Sequence, residues 1–299
     1  KKRTQKHASL AVFDNQKWVP ICYGTQKGKV CYFNEIGKDI AYLPLYYDNQ
    51  GIHPITDPFI LDSRGRIKYL HADTSKRKKV ILSRKYYLAK HIFDYAKTLT
   101  GGHFEASNNP DFSDPDTIHT ISHWLLSADS FEIKPQKTYR YWRYVSAKNK
   151  GCNLAELAFY SDKEEKELTG TIIGTNASVR YDTMPMDKSK VFDKDILTYY
   201  EAPSTVDYPW VGLDFNKPVS INKIIYTPRN DDNNIHAGDL YELFYWEYNH
   251  WMSLGQQRAI ESKLTYTNVP DNTLLLLKDL TKGEEERIFT YENDKQVWW

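Results

Sequence analysis

Cysteine is scarce, three residues in 299, and their spacing fits no metal centre. A disulfide-dense scaffold and a zinc-finger-type site are excluded on that ground. Neither sign of charge dominates: 40 Lys and Arg face 39 Asp and Glu, a formal net charge of +1. Without a basic excess there is no electrostatic reason to expect nucleic acid as a partner. No apolar run approaches the roughly 18 residues that a transmembrane helix needs, so no transmembrane segment is expected. Also missing are a G-x-S-x-G elbow, a P-loop, a G-x-G-x-x-G turn after a strand and an H-E-x-x-H helix, which removes the readily legible enzyme classes. The sequence opens KKRTQKHAS without Met or an apolar leader, which reads as a processed protein or a piece of a longer chain.

Aromatic residues, by contrast, are plentiful: 8 Trp, 23 Tyr and 12 Phe offer ample apolar surface to offset chain entropy. They fall in short β-type runs separated by turn chemistry. Ser9 to Phe13, Trp18 to Tyr23, Lys29 to Phe33, Ile40 to Tyr47, Phe59 to Asp62, Ile67 to His71 and Lys79 to Ser83 suit a compact antiparallel sandwich. Cys22 and Cys31 flank GTQKGK, a predicted hairpin turn. They are read either as a cross-strand disulfide or as small buried hydrophobes, with Cys152 alone. Leu88, Ile92, Tyr95, Ala96 and Leu99 recur at helical spacing, and Gly101-Gly102 should end that helix.

Strand patterns then resume and become denser in aromatics. TYRYWRYVS begins at Thr138, LAELAFY at Leu154, and Trp210 to Phe215, Ile221 to Tyr226, Tyr241 to Trp246, Thr273 to Leu277 and Arg287 to Tyr291 follow. In Leu154 to Tyr160, Ala155, Leu157 and Phe159 alternate with Glu156, Ala158 and Tyr160, so one face should be buried and Glu156 should lie on the other. The expected fold class is all-β, with two β-sandwich domains. The first spans 1–100 with the linking helix at its end, and the second spans 101–299, a break near 137 being the alternative.

The order of features from Val191 onward is specific. Phe192-Asp193-Lys194-Asp195-Ile196-Leu197-Thr198 precedes Trp210-Val211-Gly212-Leu213-Asp214-Phe215, then Ile221 to Arg229, Tyr241-Glu242-Leu243-Phe244-Tyr245-Trp246 and Trp251-Met252-Ser253-Leu254-Gly255. This resembles the discoidin family, the coagulation-factor type C or galactose-binding-like jelly roll. Two departures stand out. Lys194 occupies the family's usual Gly. In addition, Tyr141 to Val145 with Ala155 to Tyr160 resembles the family's closing strands yet precedes the acidic loop.

The resemblance implies a mostly non-catalytic module that binds glycans, phospholipid surfaces or proteins through loops at one end of the sandwich. It also implies a structural Ca2+ held by Asp193, Asp195 and Thr198 together with Glu156 or Glu285, carboxylates at i and i+2 being hard oxygen donors that one loop can present. The alternative is an ordinary Asx turn. An aromatic-rich sandwich upstream resembles appended modules of secreted or cell-surface polysaccharide-processing proteins of gut-type bacteria, which sets the expected localisation.

The polar loop from Pro228 to Asp239 supplies the expected ligand-binding groups. Arg229, Asn230, Asn234 and His236 offer planar donors and amides for adjacent hydroxyls, while Tyr199, Tyr200, Tyr208 and Trp251 offer ring faces. The competing reading is a solvated hairpin loop. Glu105 with Asp111 or Asp114 is the one place where a glycosidase-like carboxylate pair could form, with His119 and His123 beyond it.

Three functions follow in order. The first is a carbohydrate-binding module with a glycan partner. The second is a structural or protein-docking pair of domains, with a protein partner on the N-terminal one. The third is a glycoside hydrolase.

Overall fold

The computed structural model describes residues 7–27, 30–34, 36–134, 137–161, 164–178, 186–283 and 287–299. As the two-residue period predicts, the fold is all-β. The described residues form twenty-five strands, one α-helix and one 3-10 turn, and no helix among them is long and apolar enough to cross a membrane.

The chain divides into two compact units, Leu88–Asn233 and a composite of Lys1–Tyr87 with Asn234–Trp299. The division expected from the sequence, 1–100 and 101–299, groups Asn234–Trp299 with the second domain instead. Long-range pairing accounts for the difference. Asp73–Leu82 runs antiparallel to Leu264–Asp271, and Ala11, Phe13, Leu43 and Ile60 share a core with Trp246, Leu274, Leu276 and Ile288. Periodicity tells which face of a strand is buried, not which distant strand buries it.

Within Leu88–Asn233, two five-stranded antiparallel sheets enclose one core. The first runs Asp116–Thr120, His103–Ser107, Tyr139–Val145, Trp210–Val219, Thr171–Gly174. The second runs Asp129–Glu132, Lys223–Pro228, Cys152–Ser161, Glu164–Glu167, with Tyr200–Glu201 also paired to Cys152–Ser161. Phe104, Trp142, Tyr144, Val211 and Leu213 from one sheet meet Leu154, Leu157, Phe159, Ile224 and Tyr226 from the other. Alternation in the sequence is obeyed: Ala155, Leu157 and Phe159 are buried, and Glu156 lies on the opposite face, half-buried. The α-helix Lys90–Lys97 opens this unit with Ile92 and Ala96 turned inward, and Leu99 is buried just beyond it. Gly101 follows at φ +88°, a conformation that glycine adopts without strain.

The composite unit is layered. A six-stranded sheet orders Lys17–Tyr23, His7–Asp14, Ile40–Asp48, Phe59–Leu61 and Ile67–Tyr69, with Gly51–Pro54 paired to Ile40–Asp48. A five-stranded sheet orders His250–Arg258, Leu240–Glu247, Leu275–Asp279, Ile288–Glu292 and Lys295–Trp298. The second sheet is buried on both faces. Trp246, Leu274, Leu276 and Ile288 pack toward the six-stranded sheet, whereas Tyr241, Leu243, Leu275, Leu277, Phe289 and Tyr291 pack toward the Asp73–Leu82 and Leu264–Asp271 ribbon. That is why Leu274 to Leu277 is an unbroken apolar run instead of an alternating one.

The terminal tryptophans take one face each. Trp298 lies against Phe289, with ring centroids 4.9 Å apart, and Trp299 packs on the opposite core while its Nε1 donates to Thr290 at 3.0 Å. Thr25–Lys27, inside the segment predicted to be the turn, is itself a strand and pairs with Val30–Tyr32, so that Cys31 faces Gln26, while Lys17–Tyr23 pairs with His7–Asp14. Cys22 faces Leu10 on another strand pair, and all three cysteines are free.

Candidate functional site

The strand Lys223–Pro228 ends the polypeptide's run through the second sheet of Leu88–Asn233 and delivers Arg229 to its rim. The Arg229 backbone N–H donates to the Asn153 carbonyl at 2.8 Å, which fixes the residue where the Cys152–Ser161 strand begins. Its guanidinium lies between two rings, 3.7 Å from the Tyr95 centroid and 3.6 Å from that of Tyr199. Nη1 donates to Glu201 Oε2 at 3.3 Å and to Asn153 Oδ1 at 3.5 Å. The Arg229 side chain is 16% exposed and that of Glu201 11%.

A planar cation stacked on both faces cannot rotate, so its remaining edge points one way. Nε and Nη2 have no protein acceptor among the described residues. What results is a preorganised pair of donors beside aromatic surface, partly desolvated and already balanced in charge by Glu201. In the sequence Tyr95 is legible only as part of a helix stripe, and Glu201 carries no visible signal. Both are brought to Arg229 by tertiary structure.

The other expected ligand groups are distributed differently. Asn230 is buried, its Nδ2 donating to the Pro228 carbonyl and its Oδ1 accepting from the Asp232 N–H, both at 2.8 Å. Tyr200 is fully buried and donates to the Thr175 carbonyl at 2.7 Å. Tyr208 is 55% exposed. Asn234, His236 and Trp251 belong to the composite unit. There Asn234 is buried and accepts from Arg84 Nη1 at 2.9 Å, the His236 N–H donates to the Tyr241 hydroxyl at 3.0 Å, and Trp251 packs edge-on against Phe13 and Trp246. Asn230 and Asn234 thus spend their amides on their own unit, as turn and bridge residues do.

The acidic loop is also well defined. Asp187 caps the 3-10 turn Lys188–Phe192, and the chain then folds around Asp193. Asp193 Oδ1 accepts from the Asp195 N–H at 3.1 Å and from the Thr198 hydroxyl at 3.0 Å, while Lys190 Nζ lies 3.1 Å from Oδ2. Asp195 Oδ1 accepts from the Leu197 N–H at 3.0 Å. Lys194 takes φ +65°, so the left-handed geometry is kept although the side chain is not glycine.

Glu156 faces this loop with a buried Oε1 that no hydrogen bond satisfies. Burial, followed by the negative charges of Asp193, Glu167 and Asp195, pushes its carboxyl up to about 7. An orphaned carboxyl oxygen beside other carboxylates is chemically suited to a hard cation. Among the described residues, however, no three His, Cys, Asp or Glu side chains are gathered as a metal ion gathers them, and Glu285 lies outside the described residues.

Glu105 is 8% exposed and held from two sides, by His103 Nε2 at 2.8 Å and by Arg143, whose Nε and Nη2 reach Oε2 at 2.8 and 2.6 Å. Arg143 in turn stacks on Phe112 at 3.9 Å. Asp111 and Asp114 sit on the exposed loop beyond, where Asp111 accepts from the Ser113 N–H at 3.1 Å. His119 stacks on Phe131 with centroids 4.0 Å apart, and burial lowers its proton affinity; His123 is exposed.

Of the five segments that carry the discoidin resemblance, three fall in Leu88–Asn233, while Tyr241–Trp246 and Trp251–Gly255 fall in the composite unit. Comparison with protein-family models, with curated proteins and with solved structures returns no match.

Proposed function

We propose that this chain is a carbohydrate-binding module, without catalysis of its own, of a secreted or surface glycan-processing protein. The rim of Leu88–Asn233 around Arg229 is the site. The observation that carries this reading is the Arg229 clamp: two free, oriented donors flanked by the Tyr95 and Tyr199 rings. A sugar offers vicinal hydroxyls to such donors and a C–H face to a ring edge. Affinity falls on the order of mM to µM, because hydroxyls exchange one hydrogen-bond partner for another with little net gain. Glu201 nearly neutralises Arg229, which favours hydroxyls over an anionic ligand. A Ca2+ beside Glu156, Asp193 and Asp195 belongs to the same proposal, as a brace for the loop that precedes Tyr199.

The test is a broad glycan array followed by calorimetry on the best ligand with Arg229→Ala and Arg229→Lys. Arg229→Ala should weaken binding at least about tenfold, and Lys should not restore it because an ammonium cannot fill a stacked planar slot. Unchanged affinity in Arg229→Ala moves the site elsewhere, whereas silence of the wild type across the array removes the carbohydrate reading.

A second reading, protein docking, is supported by one observation on the composite unit. Lys17–Tyr23 is an edge strand of the six-stranded sheet, with Ile21 51% and Tyr23 72% exposed. Val30 and Tyr32 on the following hairpin are 52% and 51% exposed. An apolar edge is a template for strand addition. Ile21→Lys with Tyr23→Lys should then abolish partner binding and leave glycan binding intact.

A further inference from the structure

Lys85 and Asp279 form an ion pair deep inside the composite unit. Lys85 Nζ lies 3.0 Å from Asp279 Oδ2, and both side chains are 0% exposed. We propose that these two side chains condense to an amide, so that the mature protein carries an intramolecular Lys–Asp isopeptide cross-link. Its formation requires no ligand.

Three features of the geometry point this way. First, the amine and the carboxyl already touch, Nζ at hydrogen-bond distance from Oδ2, and are held there. Asp279 ends the strand Leu275–Asp279 opposite Tyr241. The chain entering Lys85 is clamped by Gln296, whose Oε1 accepts from the Ser83 and Arg84 N–H groups at 3.1 and 3.3 Å while its Nε2 donates to the Arg84 carbonyl at 2.8 Å. A pair held in contact replaces a bimolecular encounter.

Second, the site is closed to bulk solvent, both side chains being 0% exposed. Two full charges away from bulk solvent cost far more to hold than a neutral amide, so the interior favours the condensed form and resists its hydrolysis.

Third, the carboxyl is oriented for the reaction. Asp279 Oδ1 accepts from the backbone N–H groups of Thr281 and Lys282, each at 3.0 Å, which leaves Oδ2 to face the amine. Those two donors are aimed at the oxygen on which negative charge builds in a tetrahedral intermediate. They also remain satisfied afterwards, because Oδ1 becomes the amide carbonyl.

The step balances without an added reagent. A proton passes from Nζ to Oδ2 across the 3.0 Å hydrogen bond, giving a neutral amine and acid. The amine lone pair attacks Cγ, forming the Nζ–Cγ bond. A second Nζ proton moves to Oδ2, the Cγ–Oδ2 bond breaks, and one water leaves. Nothing is oxidised or reduced. The link would join residues 194 apart and tie together the two chain segments that build this unit.

Intact-mass measurement of the folded wild type decides the matter. The expected mass is one water below that of the sequence, with a branched proteolytic peptide containing an uncleaved Lys85 joined to the Asp279 segment. Lys85→Arg and Asp279→Ala should both show their full sequence masses, a reading that does not require them to fold. Asp279→Asn should lose one ammonia in place of water and reach the same final mass as the wild type. A folded wild type at full sequence mass overturns the proposal, as does a dehydration mapped to any other pair.

Discussion

Replacing Glu156 by Gln should stabilise the protein at neutral and alkaline pH and leave it unchanged in acid. Glu156 sits half-buried with an unsatisfied Oε1 beside Asp193, Glu167 and Asp195, and its carboxyl is pushed up to about 7 from an ordinary 4.5. Below the ordinary value both folded and unfolded forms hold the proton, so Glu156 contributes nothing to the pH dependence there. Between the two values the unfolded chain has ionised while the folded protein still holds its proton, and stability falls as pH rises. Above about 7 the penalty is complete and constant. Full conversion at about 1.4 kcal/mol per tenfold change in proton affinity bounds the effect near ~3 kcal/mol, and solvent screening of a half-buried group reduces it to about 1–2 kcal/mol. Gln keeps the shape and cannot ionise.

The assay is urea denaturation of wild type and Glu156→Gln in chelator, followed by tryptophan fluorescence, at about pH 4 and about pH 8. The two midpoints should coincide in acid and separate in favour of Gln at the higher pH. A gap of the same size at both values, or one that favours Glu at pH 8, refutes the burial argument. The same samples test the cation. If Ca2+ seats against Glu156, adding it at the higher pH should raise the wild-type midpoint and leave that of the Glu156→Gln variant where it was.

Other expectations rest on separate observations. Lys194→Gly should stabilise by about 0.5–1 kcal/mol in thermal denaturation, because the residue already sits at φ +65° and its exposed ion pair with Glu167 contributes little. Glu105→Ala should cost about 3 kcal/mol, since Arg143, only 16% exposed, would keep its charge without its carboxylate; denaturant midpoints read this directly. Leu277→Ala should cost about 2–5 kcal/mol, as Leu277 is completely buried between the five-stranded sheet and its ribbon, and calorimetry would show the loss.

Much of the local structure is legible in the residues themselves. Val211, Leu213 and Phe215 alternate in sequence and are buried together, the helical stripe of Ile92 and Ala96 lies in the helix Lys90–Lys97, which ends a few residues before Gly101, and Pro228 to Asp239 is the connection between two strands that its Asn and Asp content predicts. The Asx geometry of Asp193 is likewise present as one of two readings. These features depend on side-chain period and on turn chemistry within a few residues, which a linear sequence records.

Partnership is not legible. Nothing near Lys1–Tyr87 announces that Asn234–Trp299 completes its core, and nothing near Arg229 announces Tyr95, which lies more than a hundred positions earlier in the chain. The amides of Asn230 and Asn234 look identical in sequence whether they face a ligand or their own backbone, and the fold turns both inward. Local patterning therefore determined which segments became strands and which face of each was apolar. Only the tertiary structure decided which strands met and which polar groups kept a free edge, because those outcomes depend on contacts between segments whose separation along the chain carries no record of their distance in space.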